Sequence, residues 1–153
     1  MKSNDSDSSR RMVRISRLLF VAYVLYVVYF MFFAEGFGRS AGNSGYRYNL
    51  DVFSEIKRFS RMLKSGYNVK AVLNLFGNII AFVPFGIFIP ALSGNRIKFV
   101  NTVILTFIFS MVIETVQLYY QLGVFDVDDL ILNTCGGLIG YLIYVIGKAW
   151  STG

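Results

Sequence analysis

The chain has 153 residues, of which 55% are hydrophobic and 16% charged, and its apolar residues stand in blocks, so it is too apolar for an ordinary soluble domain. Its net charge of +6 suits anionic lipid headgroups, and no segment is left between the apolar blocks for a soluble nucleic-acid-binding module. The composition therefore indicates a membrane protein and excludes a nucleic-acid-binding one.

The chain begins with a Ser-rich, charged segment, residues 1–17, for which we predict a disordered cytoplasmic tail. The run from Leu18 to Ala34 follows without a charged residue. It is nearly long enough to cross a hydrocarbon layer of about 30 Å, so we predict a first span over 18–34. A signal peptide is the alternative, but the run is longer than a typical signal core and no small-x-small cleavage site follows.

A polar connection, residues 35–70, opens with Gly36, Gly38, Gly42 and Gly45. Apolar residues then recur at helical spacing, while the basic residues fall mostly on other faces. This pattern predicts an amphipathic helix over about 51–65, lying in the membrane interface. A helix packed over the end of the bundle is the alternative that the pattern leaves open.

Three further apolar runs predict spans over about 71–92, 99–122 and 130–146. Pro84 lies inside the second and predicts a kink rather than an end, since a membrane helix tolerates proline where neighbours satisfy the freed carbonyl. The sequence thus predicts an all-α integral membrane protein with four transmembrane helices and an interfacial amphipathic helix between the first and second.

Basic residues indicate the orientation. Four spans place both termini on one side, which carries eight Lys and Arg against seven on the other. Residues near span ends weigh most, and four arginines crowd the front of the first span while Arg96 and Lys98 lie in a short turn. We therefore expect both termini to be cytoplasmic.

Polar residues inside the spans converge on the opposite side. At 1.5 Å per residue, Asn78 lies about 10 Å below the start of the second span and Glu114 about 12 Å before the end of the third. Residues three or four positions apart share a helix face, so three helices each offer one polar stripe. The sequence predicts a polar or ligand-binding cluster in one leaflet, made of Asn74, Asn78, Glu114, Gln117, Asp126, Asp129 and Asn133.

Each of these residues has an alternative role. A carboxylate deep in the membrane is a candidate functional group, so Glu114 is the candidate catalytic residue, but interhelical hydrogen bonding would also explain it. Asp126, Asp128 and Asp129 precede the fourth span, where one aspartate would cap the helix. Cation binding by all three, or pairing with arginines of the amphipathic segment, stays open; no spacing matches a known loop, so we assign no metal and no cofactor.

Small residues occupy the fourth span. Gly136, Gly137 and Gly140 allow a neighbouring helix to approach closely, and packing is their predicted role. Cys135 is predicted to be a small buried hydrophobic residue.

Three stretches resemble signature segments of the VanZ-like family: NLFGNIIAFVPFG from Asn74 to Gly86, ETVQ from Glu114 to Gln117, and DVDDLILNTCGGLIG from Asp126 to Gly140. Their order, separations and placement on spans agree, and we assign a VanZ-like membrane domain to residues 18–148. Many members have an arginine shortly before the aspartates, where this chain has Val124 and Phe125. The resemblance implies a bacterial plasma-membrane protein of the cell envelope, whose namesake raises resistance to the antibiotic teicoplanin.

Three functions stay open. The first is a non-enzymatic envelope protein whose outer-leaflet cluster binds an amphiphilic or lipid-linked ligand, a lipid-linked envelope precursor or a lipoglycopeptide, and so lowers susceptibility to teicoplanin-type compounds. The second is a membrane enzyme acting on a lipid-linked substrate with Glu114 as general base. The third is a structural subunit of a membrane complex. The chain has no histidine and no phosphate-cradling loop, which favours a protein that is not an enzyme.

Overall fold

A computed structural model describes residues 2–33, 45–65 and 69–152 of the protein. Three glycines of the predicted polar connection, Gly36, Gly38 and Gly42, lie outside the described residues. The elements in chain order are α1 (Lys2–Phe33), β1 (Tyr48–Asn49), α2 (Ser54–Ser65), α3 (Val69–Leu92), α4 (Phe99–Tyr119), β2 (Phe125–Asp126) and α5 (Val127–Thr152).

Four of these helices contain segments long and apolar enough to cross a membrane: Arg11–Phe32, Asn74–Leu92, Phe99–Tyr119 and Val127–Ser151. Helix α2 lies between the first and second of them and is too short and polar to span. The predicted all-α membrane fold, with four transmembrane helices and one amphipathic helix, is confirmed.

The first helix is longer than the predicted span. It begins at Lys2, so the backbone is helical through the stretch for which we predicted a disordered tail. Extending an existing helix costs far less than nucleating one.

Helix α4 is shorter than predicted, ending at Tyr119 rather than 122. The chain turns there in a Schellman motif, in which the N–H of Leu122 donates to Gln117 O at 2.9 Å and that of Gln121 donates to Leu118 O at 3.1 Å. Gln121 takes the left-handed conformation that this motif requires, with φ 56°. Glu114 therefore lies five residues from the helix end, about 7.5 Å, and is shallower than the sequence predicts.

Glycines bring α3 and α5 into close contact. A Cβ atom on Gly86 would overlap the carbonyl oxygen of Gly137, and one on Gly136 or Gly140 would overlap a carbonyl oxygen of α3. Gly137 also faces Thr106 of α4. These contacts agree with the predicted packing role, and they show that the glycine face of α5 is occupied within the chain.

Cys135 is exposed, so the prediction that it is buried was wrong. The adjacent glycines Gly136 and Gly137 take the interior face of α5, which turns Cys135 outward. Its side chain therefore lies on the surface that a membrane protein presents to lipid.

Helix α1 attaches to α3 near Pro84. The Tyr23 hydroxyl donates to Ala81 O at 2.6 Å, and the backbone N–H of Phe85 also faces it. Pro84 has no N–H to donate, yet α3 continues through it, as the sequence predicts. The Tyr23 hydroxyl thus hydrogen-bonds the backbone of α3 in the turn before the proline.

Candidate functional site

Buried polar side chains gather where α3 and α5 begin and where α1 and α4 end, a region that we call the polar end. Every predicted site residue except Asn74 is buried there: Asn78, Glu114, Gln117, Asp126, Asp129 and Asn133, together with Asp128. Asn74 is half-buried one turn before Asn78. Helical periodicity turns these side chains toward the inside of the bundle. Because successive spans run in opposite directions, the starts of α3 and α5 and the end of α4 lie at the same end of the bundle.

Hydrogen bonds between these side chains join the helices. Asn78 Nδ2 donates to Asp129 Oδ1 at 2.5 Å and connects α3 to α5. The backbone N–H of Asp126 donates to Glu114 Oε2 at 3.2 Å and connects the start of α5 to α4. Each carboxylate thus contributes to the association of helices, as the hydrogen-bonding alternative predicts.

Gln117 connects α4 to the end of α1. Its Nε2 donates to the carbonyl oxygen of Met31 at 2.7 Å. Met31 lies in the last turn of α1, where carbonyl groups have no partner within the helix. Gln117 therefore fixes the end of the most lipid-exposed span to the rest of the bundle.

Asp128 holds α2 against the polar end. Its Oδ1 accepts the N–H of Phe53 at 2.6 Å, and its Oδ2 accepts the hydroxyl of Ser54 at 3.1 Å. Asp128 is 3% exposed and stands at the N-termini of both α2 and α5, where helix dipoles favour a carboxylate. Asp128 thus caps the amphipathic helix, which was not predicted; the aspartate that caps the fourth span is Asp126, whose Oδ1 accepts the N–H of Asp128 at 2.9 Å.

Phe53 has a strained backbone at this contact. Its φ is 65°, in the left-handed region that a bulky side chain rarely adopts. Such strain persists where surrounding contacts over-determine the geometry. The bond from Phe53 N–H to Asp128 is one such contact, so the start of α2 is held in a specific position.

Asp126 organises the segment before α2. Its Oδ2 accepts Asn49 Nδ2 at 3.0 Å, its Oδ1 accepts the N–H of Asp128 at 2.9 Å, and Asn49 also donates to Ser54 Oγ at 2.8 Å. Next to these bonds β1 pairs in parallel with β2, with Asn49 opposite Asp126. Together they join the segment that precedes α2 to the segment that precedes α5.

Sequence reasoning missed Asn49 and Ser54. A local signal was present, because Asn and Ser before an amphipathic helix are typical of turns and caps. The N–H of Asp51 indeed donates to Asn49 Oδ1 at 3.1 Å, and α2 begins after this turn, at Ser54 rather than 51. Their aspartate partners, however, are 74 and 77 residues away, and no local pattern identifies them.

The three aspartates bind to three different parts of the protein. Asp126, Asp128 and Asp129 each bind different partners, on the segment before α2, on α2 and on α3. Over residues 2–33, 45–65 and 69–152, no group of three or more Asp, Glu, Cys or His residues is arranged to hold a metal. The geometry therefore gives the cation alternative no support.

A polar stripe along α4 was also not predicted from the sequence. Thr102, Thr106 and Ser110 are fully buried at four-residue spacing, in line with Glu114. The two threonine hydroxyls bond to carbonyls one turn earlier, at 3.0 and 2.8 Å, while Ser110 Oγ accepts Asn133 Nδ2 at 2.9 Å. Four-residue spacing of small polar residues was the available signal, and it indicates close helix packing.

A shallow groove lies between α2 and α5. It is lined by Phe53, Ile56, Asp128, Ile131 and Leu132, and its cavity volume is about 10 Å³. A cavity of about this size admits at most one water molecule, whereas pockets for drug-sized molecules are about 300–1,000 Å³, so the groove is a surface crevice and not a ligand pocket. Exposed basic residues of α2, Lys57, Arg58 and Arg61, stand on the same helix.

Comparison with known proteins identifies relatives. A family model described as VanZ/LLP1 matches residues 20–148. Protein VanZ from Enterococcus faecium is 30% identical over 70 residues, which cover 46% of this chain and 43% of that protein. The match thus spans less than half the length of that relative. No solved structure matches the chain.

Proposed function

The chain belongs to the VanZ/LLP1 family, and on this premise we propose that it is a bacterial cell-envelope protein that binds an amphiphilic or lipid-linked ligand at the polar end. The polar end faces the outer leaflet of the plasma membrane. Binding there lowers susceptibility to teicoplanin-type lipoglycopeptides, the property that the VanZ-like resemblance implies.

The observation that carries this proposal is the position of α2. The helix is amphipathic, and its start is fixed to the bundle by the buried carboxylate of Asp128. Lys57, Arg58 and Arg61 are exposed, so α2 presents positive charge where anionic headgroups lie. Phe53 and Ile56 leave apolar surface exposed beside that charge. An apolar surface next to a cationic one is complementary to an amphiphile.

The two other functions have less support. A general base must reach the proton that it abstracts, directly or through one water, but Glu114 is 1% exposed and does not line the groove. Its Oε2 accepts a backbone N–H instead. A complex built on the glycine face of α5 meets a different obstacle, since α3 and α4 already occupy that face.

Deletion and complementation test the proposal in cells. Deleting the gene should raise teicoplanin sensitivity, and the wild-type gene should reverse the change. Asp128→Ala, which releases α2, should fail to complement although immunoblots detect it in the membrane. Asp7→Asn, which changes an aspartate far from the polar end, should complement fully.

Glu114→Gln separates binding from catalysis. The amide oxygen still accepts the N–H of Asp126, so a binding protein should retain its effect on sensitivity, whereas an enzyme that uses Glu114 as base should lose it. In parallel, purified protein in nanodiscs should bind teicoplanin or a lipid-linked cell-wall precursor above the level of empty nanodiscs. Unchanged sensitivity after deletion, together with no binding of either probe, would refute the proposal.

A further inference from the structure

A second surface at the polar end is apolar and exposed. Tyr46, Tyr48 and Leu50 are 62%, 67% and 61% exposed. They alternate with Arg47 and Asn49, which are half-buried, as side chains on the two faces of an extended segment do. The segment around β1 therefore turns its polar residues toward the bundle and its apolar residues outward, the reverse of what a soluble protein does.

The turn after α4 adds to this surface. Tyr119 and Tyr120 are 69% and 65% exposed, and Leu122 is 45% exposed. The rings of the two tyrosines pack edge to face, with centroids 5.1 Å apart. The turn leads directly into β2, which pairs in parallel with β1, so it lies beside the segment around β1. We call the six exposed residues of the two segments the tyrosine face: Tyr46, Tyr48, Leu50, Tyr119, Tyr120 and Leu122.

The ends of two spans place the tyrosine face at the level of the membrane surface. Tyr119 is the last residue of one helix that is apolar enough to span, and Val127, directly after β2, is the first residue of another. Spans end where the hydrocarbon meets the headgroups. Tyrosine is enriched at this level, because its ring is apolar and its hydroxyl is polar.

Two features favour lipid over a soluble partner as the occupant of this face. The face is continuous with the lipid-facing surface of α4, since Ile108 and Val112 are also exposed and share a helix face with Tyr119. Exposed basic residues, Lys57 and Arg58, follow on α2, and such residues suit anionic headgroups. Apolar and aromatic side chains next to basic ones are typical of an interfacial anchor.

We infer that the tyrosine face binds the phospholipid headgroup layer of the leaflet at the polar end. Because Asn49 donates to Ser54 Oγ and to Asp126 Oδ2, the face is connected both to α2 and to the start of α5. It therefore holds the start of α2 at a fixed depth in the membrane. Such an anchor goes beyond the proposed function and exists whether or not the polar end binds a ligand.

Single tryptophans measure the depth of the face. Trp150 is the only tryptophan of the chain, so Trp150→Phe is a background to which Tyr48→Trp, Tyr120→Trp or Ile108→Trp is added. Ile108 is exposed near the middle of α4 and is the reference for the hydrocarbon. The full-length variants are reconstituted into phosphatidylcholine–phosphatidylglycerol vesicles whose acyl chains carry bromine, a fluorescence quencher, near either the carbonyl end or the methyl end.

The two interfacial variants and the mid-span variant should show opposite orders of quenching. Bromine near the carbonyl end should quench Tyr48→Trp and Tyr120→Trp about twofold more than bromine near the methyl end, since interfacial rings lie at the headgroup level. The order should be reversed for Ile108→Trp. Iodide in the buffer should quench all three variants much less than it quenches tryptophan amide in solution.

Three other results would overturn the inference. Strong quenching of Tyr48→Trp and Tyr120→Trp by iodide, without an effect of bromine, would place the face in water, where a soluble partner such as a glycan could bind it. Quenching by neither agent would mean that protein covers the face, as in an oligomer. The same order as in Ile108→Trp would place it in the hydrocarbon. The vesicles contain no teicoplanin, so these outcomes are independent of the complementation result.

Discussion

Asp128 determines where α2 lies, because its carboxylate accepts hydrogen bonds from both residues at the start of that helix. Asp128→Ala removes this acceptor and leaves the N–H of Phe53 without a hydrogen bond to it. This change should lower the free energy of unfolding by about 1–3 kcal/mol. We expect a lower Tm and faster tryptic cleavage after Lys57, Arg58 and Arg61. Limited proteolysis followed by mass spectrometry measures the cleavage.

Asp128→Asn is the matched control for this prediction. Asparagine keeps one carbonyl oxygen for the N–H of Phe53, and its amide can donate to the hydroxyl of Ser54, so the variant should behave closer to the wild type. If the Asp128→Ala variant and the wild type were cleaved in α2 at the same rate, Asp128 would not be the residue that fixes α2 to the bundle.

Individual residues also show what the sequence can specify. The buried faces of the spans follow from helical periodicity, and the sequence therefore predicts that Asn78, Glu114 and Asp129 turn inward together. Bonds with loop residues such as Asn49 depend on contacts between distant segments, which periodicity does not describe. The prediction that Cys135 is buried was wrong because the glycines beside it, and not the apolar character of the run, decide which face of α5 packs against the other helices.

At the scale of elements, the closest helix contact is between α3 and α5, and it depends on residues without a side chain. Gly140→Ala would place a Cβ against the carbonyl oxygen of Val83. Overpacking of this kind costs about 1–3 kcal/mol. We expect a clear fall in Tm in detergent, measured by tryptophan fluorescence or a thermal-shift assay.

Gly147→Ala is the control on the same helix. A Cβ at Gly147 meets nothing within 4 Å, so the substitution should be neutral or stabilise α5 by up to about 1 kcal/mol, since alanine is the better helix former. Equal losses from the two substitutions would mean that helix propensity, and not contact with α3, governs the effect.

Element boundaries were harder to predict than the elements themselves. The length of an apolar run indicates a span, but the residues that end a helix act through the backbone. Gln121 takes a left-handed conformation just after the end of α4. Glycine is the usual residue in that conformation, so a glutamine there does not indicate the end of a helix. Helix α5 continues from Val127 to Thr152, beyond the predicted 130–146, because the loss of apolar residues ends the span without ending the helix.

In the whole molecule, as far as the structure describes it, the buried carboxylates are concentrated at one end, the polar end. The core cluster of Val27, Met31, Phe82 and Ile113 joins α1, α3 and α4, while the hydrogen bonds of Asn78, Glu114 and Gln117 lie toward the end where α2 docks. This asymmetry makes orientation the property on which the proposed function depends, because a ligand from outside the cell reaches only one end.

Cysteine accessibility decides the orientation. In a Cys135→Ser background, we place single cysteines at Ser60 on α2 and at Ser151 at the end of α5, two exposed serines on opposite ends of the bundle. Arginines before the first span and the basic turn at Arg96 and Lys98 favour a cytoplasmic location for the termini. A membrane-impermeant maleimide should therefore label Ser60→Cys in intact cells and label Ser151→Cys only after permeabilisation. The reverse pattern would place the polar end in the cytoplasm, where extracellular lipoglycopeptides do not reach it.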